Sequence, residues 1–94
     1  MIFVVMSQAE NLQNRRVSGA RFSENDIREV WEKARYCDGY GAEEKRVDTC
    51  GSIIQFDRFG DTSSPYGWEI DHIYPRRKGG SDIFSNLQPL QWEN

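Results

Sequence analysis

Residues 67–94 read GWEIDHIYPRRKGGSDIFSNLQPLQWEN, and both the fold and the chemistry of the chain turn on this stretch. Its opening alternates, with Trp68, Ile70 and His72 on one face and Glu69 and Asp71 on the other, the period of a half-buried strand. Pro75 ends that strand, because proline brings no N–H to a ladder. A glycine-rich loop follows at Gly79-Gly80, and the short apolar run from Leu87 to Leu90 predicts a second strand paired with the first. His72 is the single histidine of the chain and stands directly after Asp71. Arg76, Arg77 and Lys78 come next, with no acidic residue before Asp82. Phosphodiester hydrolysis needs a base to activate water, a cation at the phosphate oxygens and positive charge to position the backbone. One imidazole, one carboxylate and a basic loop supply a candidate for each task.

Upstream, Gly60, Asp61, Ser63, Ser64, Pro65 and Gly67 mark a turn-rich connection. Cys50 to Phe56 has the β-branched and aromatic content of a strand, while Tyr40 to Asp48 reads as a polar loop. A helix is well signalled before that. Ser23 caps it and Asp26 completes a capping-box pattern. Ile27, Val30, Trp31 and Ala34 then fall at i, i+3, i+4 and i+7, a single apolar face that makes Trp31 a core residue. The helix is expected to stop near Asp38-Gly39, where glycine takes the left-handed conformation. Residues 1–21 read as a mobile polar arm, and residues 22–94 as the one domain, with its motif core at 67–94.

The whole chain sets bounds on these readings. Ninety-four residues make one small domain with a modest core, of the size that often relies on a staple such as a metal. The apolar run from Met1 to Met6 is too short for a signal peptide or a membrane span, and Met6 is an alternative start. A cytoplasmic protein without membrane association is the expectation. Cys37 and Cys50 have no CxxC partner and read as two reduced, partly buried thiols without chemistry. The net charge of −3 argues against nucleic-acid binding by the whole surface, so any such contact must be local, at the basic loop.

Asp71-His72-Ile73, Pro75, Lys78-Gly79-Gly80-Ser81-Asp82, Asn86-Leu87-Gln88-Pro89-Leu90 and Trp92-Glu93-Asn94, in this order, resemble the HNH endonuclease family. The likeness is to the branch in which asparagine replaces the last histidine, and it is weaker but perceptible back to Val30-Trp31-Glu32-Lys33. It implies an α+β domain: an N-terminal helix and a ββα-metal hairpin core. It also implies a metal-dependent endonuclease acting on DNA, double-stranded in the first instance. His72 would be the general base. Asn86, the middle letter of the motif, would brace the loop and hold His72 in place. Asp71 would be a ligand for a divalent cation, magnesium or manganese in preference to zinc or nickel, since a hard carboxylate favours the former pair. Arg76, Arg77 and Lys78 would lie against the DNA backbone.

The resemblance also places the last metal ligand at Asn94 or just beyond it. Family members continue into a closing helix that carries this ligand, whereas four residues, Gln91 to Asn94, follow the second strand here, and so short a helix does not form alone. Asn94, or the terminal carboxylate, is the candidate second ligand. A truncated, catalytically weak relative that serves only as a DNA-binding or interaction module is the alternative reading. In a regular strand Asp71 and His72 point to opposite faces, so the strand is expected to twist or break where both address one phosphate.

Overall fold

A computed structural model describes residues 13–94; the apolar opening run, the choice between Met1 and Met6 and the first twelve residues of the arm lie outside the described residues. The elements in order are helix α1 (Glu24–Trp31) and strands β1 (Arg35–Tyr36), β2 (Lys45–Val47), β3 (Ile53–Gln55), β4 (Trp68–His72) and β5 (Leu87–Gln91). Strands β1-β2-β3 form one antiparallel sheet and β4-β5 a second, giving the small α+β domain expected.

Helix α1 begins as the sequence predicts. Ser23 Oγ accepts from Asp26 N–H at 3.0 Å and the Asp26 carboxylate accepts from Ser23 N–H at 3.3 Å, a reciprocal capping box. Its end differs from expectation. The helix stops at Trp31, not near Gly39, because the following carbonyls are taken elsewhere: Arg46 Nη1 donates to Glu32 O and Ala34 O at 3.2 and 3.1 Å. Arg35 and Tyr36 then pair with Val47 and Arg46, which turns part of the expected loop at 40–48 into strand β2. Gly39, at φ +85°, serves the β1–β2 turn instead of a helix end. The strand expected over Cys50–Phe56 narrows to Ile53–Gln55, because residues 48–52 form the tight turn that precedes it. Cys50 in that turn is exposed and Cys37 half-buried, both as free thiols.

The core lies where α1 meets both sheets. Val30 and Trp31 from the helix face, Ile54 from β3, and Trp68, Ile70 and Leu87 from the β4-β5 hairpin are buried, with Phe22 and Ala34 at the margins. The rings of Trp31 and Trp68 stand 5.3 Å apart, and Phe59 meets Trp68 edge-on at 4.9 Å, so aromatic packing supplies much of a small core. Arg46 crosses it with its guanidinium between Trp31 and Tyr36 and three carbonyl oxygens as acceptors.

Asp48 joins the two sheets. This carboxylate is 1% exposed, and its bonds go to N–H groups alone. Oδ1 accepts from the backbone of Cys50 and Ser52 at 3.0 and 2.8 Å. Oδ2 accepts from Gln91 N–H and Asn94 Nδ2, both at 2.8 Å. The turn after β2 is thereby tied to the end of β5.

Strand β5 contains Pro89, which sits opposite Ile70. In an antiparallel ladder alternate pairs exchange no hydrogen bonds, and a proline at such a pair leaves the ladder intact. Consistent with that register, Ile70 N–H turns away from β5 and donates to Asn14 Oδ1 at 2.7 Å. On the same edge Gly60 N–H donates to Trp68 O at 2.8 Å, beside a bridge between Phe59 and Trp68. The described part of the arm is also bonded to the hairpin loop, through Val17 and Arg16 to Asp82.

Candidate active-site cleft

Strand β4 runs unbroken to His72, which pairs with Leu87, so Asp71 and His72 keep opposite orientations. Asp71 lies across from Gln88, whose Nε2 donates to its Oδ2 at 3.0 Å. His72 turns the other way, against the ring of Phe22 at 6.1 Å, with its side chain 6% exposed. The expected twist or break between them does not occur. A cleft of about 650 Å³ straddles the outer edge of β4 instead, and both residues line it.

The same cleft brings Arg76, Arg77 and Asn94 to Asp71 and His72, together with Glu69, Asn14 and Trp92. Lys78 and Asn86 are not part of its lining. Asn94 reaches the cleft tied at its amide nitrogen, which donates to Asp48 Oδ2 and Ser52 Oγ at 2.8 and 2.9 Å, so its carbonyl oxygen is the atom left for other partners.

The basic residues occupy a 3-10 turn, Arg76–Lys78, that follows Pro75. Among the described residues none of the three forms an ion pair. Two glycines make the turn possible. Gly79 takes φ +101°, which suits glycine, and Gly80 packs so closely that a Cβ there would lie 1.8 Å from Tyr74 O. Asn86 closes the loop: its Oδ1 accepts from Tyr74 N–H at 2.8 Å, and its Nδ2 donates to Ser81 O at 2.8 Å and Tyr74 O at 3.2 Å. Gly80→Ala is expected to force this loop open and cost about 1–3 kcal/mol, the usual range for overpacking. Urea denaturation checks this, and an unchanged midpoint would mean that the loop relaxes without cost.

Charge in the cleft is unevenly held. Burial pushes the Glu69 carboxyl above its ordinary value, and the charge of Asp71 adds to the push. A carboxyl raised in the folded state supports the fold below its ordinary pKa and opposes it as the pH climbs through the raised value. Glu69→Gln is therefore expected to raise Tm by a few degrees at pH 7 in metal-free protein and to leave it unchanged at pH 3. Equal shifts at the two pH values would show that charge is not the cause.

Asp82 is the residue of this region to which the sequence reading gave no role. Its Oδ1 lies 2.8 Å from His72 Nε2, and its carboxylate also accepts from Val17 N–H at 3.0 Å and faces Arg16 Nη2 at 3.7 Å. Partial burial opposes its ionisation, but the hydrogen bonds from His72 and Val17 and the charge of Arg16 more than offset this, and the carboxyl is held below its ordinary value. Asp82 stood in the sequence as the first acid after His72 and as the end of the 78–82 stretch of the resemblance, and neither signal discloses a contact across ten residues of loop. Gln88, the partner of Asp71, stood in the second strand and in the 86–90 stretch of the resemblance, with no role attached to it.

Among the described residues no three His, Cys, Asp or Glu side chains gather to hold a metal, and no helix is long and apolar enough to cross a membrane. The oxygens available in the cleft, from Asp71 and Asn94, suit a hard cation that keeps most of its water, and the mutual repulsion of Glu69 and Asp71 marks a place where added positive charge is favourable.

A family model described as HNH endonuclease matches residues 49–92. No curated protein and no solved structure matches the chain significantly. The matched segment covers β3, β4, the basic loop and β5, and points to a nuclease or DNA-interacting function.

Proposed function

We propose that this chain, which carries an HNH endonuclease match over residues 49–92, is a metal-dependent endonuclease that hydrolyses DNA phosphodiester bonds. The observation that carries the reading is the convergence of Asp71, His72, Arg76, Arg77 and Asn94 on one cleft. Asp71 and the amide oxygen of Asn94 would hold a divalent cation, magnesium or manganese, with the remaining positions left to water and phosphate oxygens. Such a cation, when bound, stabilises the charge that develops on the phosphate oxygens.

The protein's own residues perform the remaining work. His72 takes a proton from a water in the cleft, and the water oxygen bonds to phosphorus as the bond to the leaving sugar oxygen breaks. That oxygen takes its proton from solvent. A neutral imidazole suits the first transfer, because its unprotonated nitrogen carries the lone pair that takes the proton. Arg76 and Arg77 hold the phosphate backbone from the rim, with Lys78 further out, and their lack of ion-pair partners among the described residues leaves their charge available to it. Asn86 acts through the loop it closes. The acidic balance of the rest of the chain confines binding to this rim and implies weak affinity, with a salt dependence set by the few phosphates that Arg76, Arg77 and Lys78 can reach.

Supercoiled-plasmid cleavage by the purified chain with magnesium, with manganese and with EDTA tests the proposal. Nicking with either metal that stops in EDTA supports it. Folded protein that retards DNA without cutting it under any metal would replace it with the binding-module reading.

A further inference from the structure

We infer that Asp82 is a positioning residue that fixes the ring and tautomer of His72, and that the arm segment Arg16–Val17 clamps Asp82 in place. The inference rests on His72 being the base, and extends it to the groups that aim that base.

An ionised carboxylate has acceptors only, so the 2.8 Å contact between Asp82 Oδ1 and His72 Nε2 requires the proton to sit on Nε2 when the ring is neutral. The lone pair then belongs to Nδ1. No described residue bonds Nδ1, which makes it the nitrogen left to take a proton. A neutral ring held at one nitrogen, with the lone pair of the other uncommitted among the described residues, is the arrangement a general base needs. Phe22 packs on the ring and limits its rotation.

Asp82 in turn is held from the N-terminal side. Val17 N–H donates to both of its oxygens, at 3.0 and 3.1 Å. Arg16 reaches it at 3.7 Å while also pairing with Asp26, at the first turn of α1, at 3.2 Å. Arg16 therefore bridges the helix start to the hairpin loop, and Val17 meets a residue sixty-five positions away. A segment outside the matched motif completes the setting of its histidine.

Because His72 is the chain's sole histidine, its ring is unambiguous in a long-range nitrogen–proton correlation spectrum of metal-free protein labelled with ¹⁵N-histidine. At a pH where the ring is neutral, the expected result is one tautomer protonated at Nε2, with its ring proton slow enough in exchange to be seen. Asp82→Ala should abolish that proton signal by opening it to water, and lower plasmid-nicking kcat by about 10- to 100-fold, the usual effect of removing a partner that orients a functional histidine, with KM little changed. Arg16→Ala should broaden the ring-proton signal and lower kcat by a smaller factor. A wild-type ring protonated at Nδ1 would overturn the inference whatever the variants do, even if Asp82→Ala does not fold. So would a folded Asp82→Ala that loses the ring-proton signal yet cleaves at the wild-type rate. If the wild-type chain does not cleave DNA, the nuclease reading falls, while the wild-type spectrum still decides whether Asp82 and the arm set the ring.

Discussion

Asp48→Ala is expected to lower unfolding free energy by about 3–5 kcal/mol, because each buried donor left without an acceptor costs roughly 1–3 kcal/mol and water recovers only part of that. The side chain removed is 1% exposed and accepts from three backbone N–H groups and one side-chain amide. Its loss unties residues 48–52 from the end of β5, which are more than forty positions apart in sequence. A domain of this length has a total stability of only about 5–15 kcal/mol, so a loss of this size removes a fifth or more of it, and Tm should fall by about 12 °C or more. Asp48→Asn separates acceptor count from space filling. The amide keeps the volume but turns one oxygen into a donor that faces other donors, so it should be nearly as damaging as alanine. A loss below about 1 kcal/mol for Asn, measured by urea denaturation, would show that the bonds are dispensable and that Asp48 merely fills space.

His72→Ala is expected to reduce plasmid nicking by about 10²- to 10⁴-fold, the range over which a positioned general base acts. The ring also packs on Phe22 and bonds Asp82, so part of any loss in the alanine variant can come from disturbance of the loop. His72→Gln serves as the control, since its amide can still donate to Asp82 while offering no base of useful pKa. Both variants should be assayed below their Tm and checked for binding to plasmid in EDTA, where each should match the wild type. Cleavage retained in both would remove His72 as the base and shift attention to Glu69, a carboxylate on the same cleft.

How far the sequence could be read depended on whether a signal was local. The start of α1 was legible because Ser23 and Asp26 satisfy each other within one turn. Strand β4 was legible from alternation and from Pro75, β5 from the short apolar run Leu87 to Leu90, and the fold class with them. The end of α1 was not, because Arg46 takes its trailing carbonyls from a strand that the polar run Tyr40 to Asp48 conceals. The placement of Asp71 and His72 on one cleft was expected to need a break in the strand. It is achieved by a cleft that crosses the strand edge, a tertiary fact that no alternation pattern encodes. Asp82 and Asp48 were missed for the same reason. Each is a carboxylate whose partners lie far along the chain, and an isolated aspartate in a loop reads the same whether it is solvated or is the acceptor that joins two elements.

The outer edge of β4 has consequences for how molecules of this protein meet one another. An unpaired strand edge is a template on which a second molecule can extend the sheet. Here Ile70 N–H is spoken for by the side chain of Asn14, and Trp68 O by the backbone of Gly60. At these two rungs the edge is met by single residues of loops, so a neighbouring molecule could add a strand there only by displacing them. The contacts that border the cleft therefore also hinder sheet-to-sheet growth between crowded copies of the chain.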